Sequence, residues 1–241
     1  MLVLAGAVAL AGGGCESSQT KSARLERLGA KAAKTSRVSA GAANPDVKVT
    51  GTQVLHSAGA TAAVVGLRNT GPAAQAAVPV QIQVKDAHGK ALYKNDLEGL
   101  QVALQHMAYL GKGEKAFWVH DQVVGADRGR SVTVAVGKPS ARAPATRAPR
   151  IKLVGAHLTR DSTGRFLTGR VRNASKVTQR NMPIYAVAKR GRRIVAAGRA
   201  IIEKLDPDPQ PKPTVFRIFF VGNLTGARIE AHAYPTVLEG P

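Results

Sequence analysis

The stretch VPVQIQV, residues 78–84, alternates apolar and polar side chains without a break. Period two places Val78, Val80, Ile82 and Val84 on one face of an extended chain, with Pro79, Gln81 and Gln83 on the other. That is the pattern of a strand with one buried face and one wet face. Residues 86–90, DAHGK, follow with turn chemistry: Asp86 opens the turn and Gly89 is free to take a positive φ. Ala91, Leu92 and Tyr93 begin a return strand. Upstream, Val47, Val49 and Val54 alternate in the same way; downstream, Val132, Val134 and Val136 do so.

Comparing the chain with itself shows that this pattern occurs twice. VKVTGTQVL (47–55) aligns with IKLVGAHLT (151–159), placing Gly51 on Gly155 and Lys48 on Lys152. The same offset sets Asn69 on Asn173, Pro79 on Pro183, and VPVQIQV on MPIYAVA (182–188). Further on, Phe117 aligns with Phe216 at a smaller offset, which predicts a trimmed hairpin between Asp86 and Tyr93 in the second copy. Ile218, Phe219, Ile229, Ala231 and Ala233 supply its last strands. Two copies of about ninety residues are expected, at 46–137 and 150–241. The linker between them, 138–149, is rich in Pro and Arg and without acid, so it reads as an extended spacer. Six or seven short strands per copy predict an all-β fold of two tandem immunoglobulin-like β-sandwiches. Only residues 100–110 compete as a short helix.

Val65-Gly66-Leu67-Arg68-Asn69-Thr70-Gly71, the 78–84 strand, Asp86, Gly89, Gly111, Gly113, Glu114 and Phe117 resemble the bacterial FxLYD-type immunoglobulin-like domain. The second copy shows Gly169-Arg170-Val171-Arg172-Asn173 and Phe216. The resemblance implies a domain of exported or surface-anchored bacterial proteins, often without known activity.

The N-terminus agrees with that address. Residues 2–11, LVLAGAVALA, carry no polar side chain; Gly12, Gly13, Gly14 and Cys15 follow, and the chain then turns polar. A short apolar run ending in small residues is an export pattern. With the one cysteine of the chain at its end, it resembles a bacterial lipoprotein signal. This implies a signal segment 1–14, lipidation of Cys15, and anchoring on the outer face of a membrane in the cell envelope. Residues 15–45 hold six basic and two acidic residues and read as a basic tether, with a brief helix conceivable at 23–33.

The 241 residues carry 35 Lys and Arg against 15 acids, a formal charge of +20. No apolar run reaches the ~20 residues of a spanning helix, which excludes a multi-pass membrane protein. One cysteine excludes an internal disulfide framework. The six histidines show no metal-ligand spacing, Asp206 and Asp208 stand between prolines, and no G-x-S-x-G elbow exists. No enzyme, cofactor or metal site is therefore expected. Asn69 and Asn173 read as turn-shaping residues.

The charge is uneven. Residues 46–137 hold nine basic and seven acidic residues; residues 151–241 hold sixteen and six. Arg170, Arg172, Lys176, Arg180, Lys189, Arg190, Arg192 and Arg193 fall on two hairpins of the second copy. Were those hairpins neighbours, they would form one polyanion-binding face for an anionic envelope polymer or lipid headgroups. The alternative is a secreted nucleic-acid binder, against which stands the scarcity of aromatics: Tyr185 alone lies near the basic hairpin.

Overall fold

A computed structural model describes residues 39–57, 59–139, 148–162, 164–210 and 212–238. The signal segment, Cys15, the helix conceived at 23–33 and most of the linker lie outside these residues. Among the described residues the fold is all-β, apart from one 3₁₀ turn at Val102–Leu104. The 100–110 segment is thus that turn followed by a strand, not a helix.

The first half contributes β1 (Val47–Ser57), β2 (Ala60–Asn69), β3 (Gln75–Lys85), β4 (Ala91–Lys94), β5 (His106–Leu110), β6 (Lys115–His120) and β7 (Ser131–Val136). The second contributes β8 (Ile151–Asp161), β9 (Gly164–Asn173), β10 (Gln179–Arg190), β11 (Arg193–Leu205), β12 (Thr214–Phe219), β13 (Val221–Gly222) and β14 (Arg228–Ala233). One sheet of the first half is β1-β2-β6; in the other, β3 pairs with β4, β5 and β7. The second half repeats the plan as β8-β9-β12 and β13-β11-β10-β14, with β11 in the places of both β4 and β5. Strand pairing stays within each half among the described residues.

The rungs locate the length differences between the copies. Val47 pairs with Asn69 and Ile151 with Asn173, an offset of 104. Gln83 pairs with Lys94 and Val187 with Ala197, so the 86–90 hairpin is shortened by one residue only. Val78 pairs with Met107 and Met182 with Ile202, so eight more are lost where β4 and β5 are interrupted by the 3₁₀ turn. The trimmed hairpin expected at 86–93 is therefore mainly a missing 95–105 excursion. Val65 pairs with Trp118 and Gly169 with Phe216, so Trp118, not Phe117, is the counterpart of Phe216. Both are fully buried, whereas Phe117 points to the opposite face of its sheet.

Within each half the alternating strands enclose a core. Val78, Val80, Ile82 and Val84 are at most 1% exposed. Asn69 and Asn173 play one role twice. Each is fully buried; Asn69 Nδ2–H donates to the carbonyls of Ala73 and Leu110, and Asn173 Nδ2–H to those of Val177 and Leu205. Their Oδ1 atoms accept from the amides of Gly71 and Ser175. Asp86 Oδ1 accepts the amides of His88 and Lys90, which closes the β3–β4 turn. The tether reading fails for residues 39–45. Ala40 is buried, Asn44 N–H donates to Val136 O, Asn44 Nδ2–H bonds Gln75 Oε1, and Ala43 bridges Gly137.

The halves are packed together rather than held apart by a spacer. Tyr185 and Val187 of β10, Ala197 of β11, Val221 and Tyr234 join the hydrophobic cluster of the first half. Met182, Ile184 and Ala186, on the other face of β10, lie in the core of the second. The run MPIYAVA is buried throughout because both faces of β10 are covered. Its counterpart in β3 leaves one face half-exposed.

Candidate functional site

The eight basic residues singled out in the second half do not form one face. Arg180 and Arg190 sit at opposite ends of β10, about 33 Å apart along the strand. Arg170 and Arg172 are exposed on β9, in the other sheet, with Arg172 Nε 3.0 Å from Asp208 Oδ2. Lys176 is exposed in the turn between β9 and β10. Lys189 Nζ lies 2.6 Å from Glu230 Oε2 and 4.6 Å from the Phe117 ring centre, so its charge is spent inside the molecule.

Arg190, Arg192 and Arg193 are brought together at the β10–β11 tip. Arg190 pairs with Arg193 across a two-residue turn, and Gly191 takes φ 58°, the left-handed value a first turn position needs. Arg190 Nη2–H donates to Thr225 O at 2.6 Å, which fixes the base of the tip. The tip lies against β1 of the first half and leaves a cleft on either side. One, about 510 Å³, is lined by His56 and Arg130 from the first half and by Arg190, Arg193, Ile194 and Asn223 from the second. No acidic residue lines it, and none of the three arginines is ion-paired with a described residue. The other, about 530 Å³, includes Thr50, Gln53, Arg192 and Arg193, but also Glu230.

The first cleft is the candidate site. Three arginines line it without an ion-pair partner among the described residues, a composition that suits a phosphate, sulfate or carboxylate. His56 is held in the wall: its Nε2–H donates to Gly129 O at 2.8 Å, and Nδ1 is 3.1 Å from Thr61 Oγ1. Arg190 and Arg193 were expected from the sequence. Arg130 and His56 were missed because they come from the other half, and no repeat position or spacing links them to the hairpin.

A buried polar lock joins the two halves. The Arg199 side chain is 4% exposed, with Nε 2.8 Å from Asp121 Oδ1 and Nη1–H donating to Gln101 Oε1 at 3.0 Å. Tyr185 O–H donates to Ala103 O at 3.0 Å. This places Tyr185 inside the junction, 2% exposed, where it cannot stack on a base. Beside it, Tyr93 Oη and His120 Nε2 share a 2.8 Å hydrogen bond. Burial, then the Arg199 charge, pushes the His120 imidazole down to about 3. Burial, then Asp96, holds the Tyr93 hydroxyl above its ordinary range. Among the described residues no three of His, Cys, Asp and Glu could hold a metal.

A further cleft of about 580 Å³ lies at the far end of the junction, mostly apolar, between Leu100, Val102 and Ala108 of the first half and Pro183 and Ile201 of the second. His106, at its wall, has a buried Nδ1 without a hydrogen-bond partner, and burial holds its imidazole below the usual range. Comparison with family models and with curated proteins finds no match to this chain.

Proposed function

We propose that this is a lipid-anchored protein of the cell envelope, attached through Cys15, that acts as a non-catalytic module binding an anionic envelope polymer. The observation that carries the reading is the acid-free cleft between the halves that Arg130, Arg190 and Arg193 line. The export pattern before Cys15 and the FxLYD-type resemblance support the address. The cation-rich composition raises the local concentration of polyanions around the cleft.

The test has two arms. Intact mass and fractionation of the native protein, beside a Cys15→Ser variant, report the anchor: membrane-bound protein starting at Cys15 with added lipid mass is expected, and soluble protein retaining residues 1–14 sinks that part. Binding to an anionic wall glycopolymer, followed across a salt series, reports the cleft. The variant Arg130→Gln/Arg190→Gln/Arg193→Gln is expected to lose most affinity and to flatten the salt slope by about three contacts. Tighter binding to duplex DNA than to wall polymer would move the assignment to a secreted nucleic-acid binder.

A further inference from the structure

In the second half, the outer face of the β8-β9-β12 sheet points away from the first half, which packs instead on β10 and β11. Side chains directly opposite each other across paired strands share a face. One rung is Val154–Arg170–Val215, the next His157–Thr168–Arg217, the next Thr159–Phe166–Phe219. Lys152 and Arg172 extend the face by one more rung. It thus measures roughly 10 by 20 Å along the backbone.

No acid stands on these positions. Lys152, Arg170 and Arg217 are cations, a fourth, Arg172, is paired with Asp208 beside the face, and Val154, Val215 and Phe219 are large apolar side chains exposed by 38%, 56% and 47%. Phe219 packs on Phe166 at 5.2 Å between ring centres, and Arg217 lies 5.3 Å from the Phe166 ring. Phe219 is therefore presented outward on a firm base. A soluble polyanion would use the cations and leave the apolar groups in water; an anionic lipid surface uses both, headgroups for the cations and the acyl boundary for the aromatic.

We infer that this face is a membrane-docking surface that seats the second half on anionic lipid. It is separate from the cleft and does not depend on it. Nor does it depend on the anchor, since every group lies on β8, β9 or β12.

The experiment uses the full chain carrying Cys15→Ser, so that no acyl chain contributes, with vesicles of phosphatidylcholine alone or mixed with phosphatidylglycerol. Binding is expected to the mixed vesicles only. Arg170→Gln and Arg217→Gln should each weaken it about fivefold, in keeping with roughly 1 kcal/mol per basic residue at such a surface. Phe219→Ser should weaken it severalfold while leaving the salt dependence unchanged and lowering the melting temperature only slightly. The cleft variant should bind vesicles as the parent does, which separates failure here from failure of the polymer reading. Equal binding to both vesicle types overturns the inference. So does loss on the arginine substitutions with none on Phe219→Ser, which would mark a general polyanion face. Stronger capture by poly-glutamate than by vesicles would mark an acidic protein partner and overturn it too.

Discussion

β3 and β10 occupy one position in two copies of the same plan, yet β3 alternates and β10 does not. Gln83 stands on the half-exposed face of β3; its counterpart Val187 is 2% exposed against the first half. The sheets that receive them differ in the opposite sense. The outer face of β1-β2-β6 presents Val64 and Val119, both covered by the second half, whereas the matching face of β8-β9-β12 presents Arg170 and Arg217. The difference shows that a strand's hydrophobic pattern records how many of its faces are covered, not only that it is a strand. One copy has become the cover of the other.

The sharpest way to break this comparison is to make one change at both matched positions. Val187→Glu places an unpaired charge in the junction and is expected to cost more than about 4 kcal/mol in denaturant unfolding. Gln83→Glu should change stability by less than about 0.5 kcal/mol. Similar effects at the two sites would show that the halves do not pack as described. Next comes the lock. Arg199→Met leaves Asp121 without its partner and should cost about 3 kcal/mol, and adding Asp121→Leu should restore part of the loss. An additive double variant would mean the pair is not coupled.

Much of this architecture was legible beforehand, and for physical reasons. Period two in 78–84, the paired Asn69 and Asn173, and the Asp86–Gly89 turn are local patterns with local causes. The junction was not legible as such. Arg199 and Asp121 are separated by 78 residues, and nothing in either neighbourhood marks the contact. Aligning Phe117 with Phe216 matched residue type where the register matches burial, so Trp118 was overlooked as the true counterpart. The unbroken run MPIYAVA did carry the signal that β10 is covered on both sides. Of the candidate site, the tip arginines were legible as a charge cluster. Their separation from Arg180, and their meeting with Arg130, depend on strand direction and on contacts between the halves.

A smaller effect sharpens the comparison at β6, where the rungs put His120 at the position of Ile218. A histidine held neutral at about 3 when folded and titrating near 6.5 when unfolded binds its proton in the unfolded chain first. Stability is therefore full above about pH 6.5 and falls as pH drops toward 3, by about 2.7 kcal/mol near pH 4.5. His120→Ile, which installs the residue of the second half, should flatten the melting temperature across that range; a profile unchanged by the substitution would assign the acid sensitivity elsewhere. Smallest of all, Arg172→Gln removes an ion pair whose arginine is 62% exposed, and should shift stability by less than about 0.5 kcal/mol.

The double-covered strand has a consequence for how the chain is made. The strands of the first half are complete at Val136, whereas β10, which covers their outer sheet, does not begin until Gln179 and gains its own partner β14 only at Arg228. At roughly 5–20 residues per second of synthesis, the nascent chain presents Val64 and Val119 to its surroundings for several seconds before its own cover exists. During that interval the first half is a sticky intermediate.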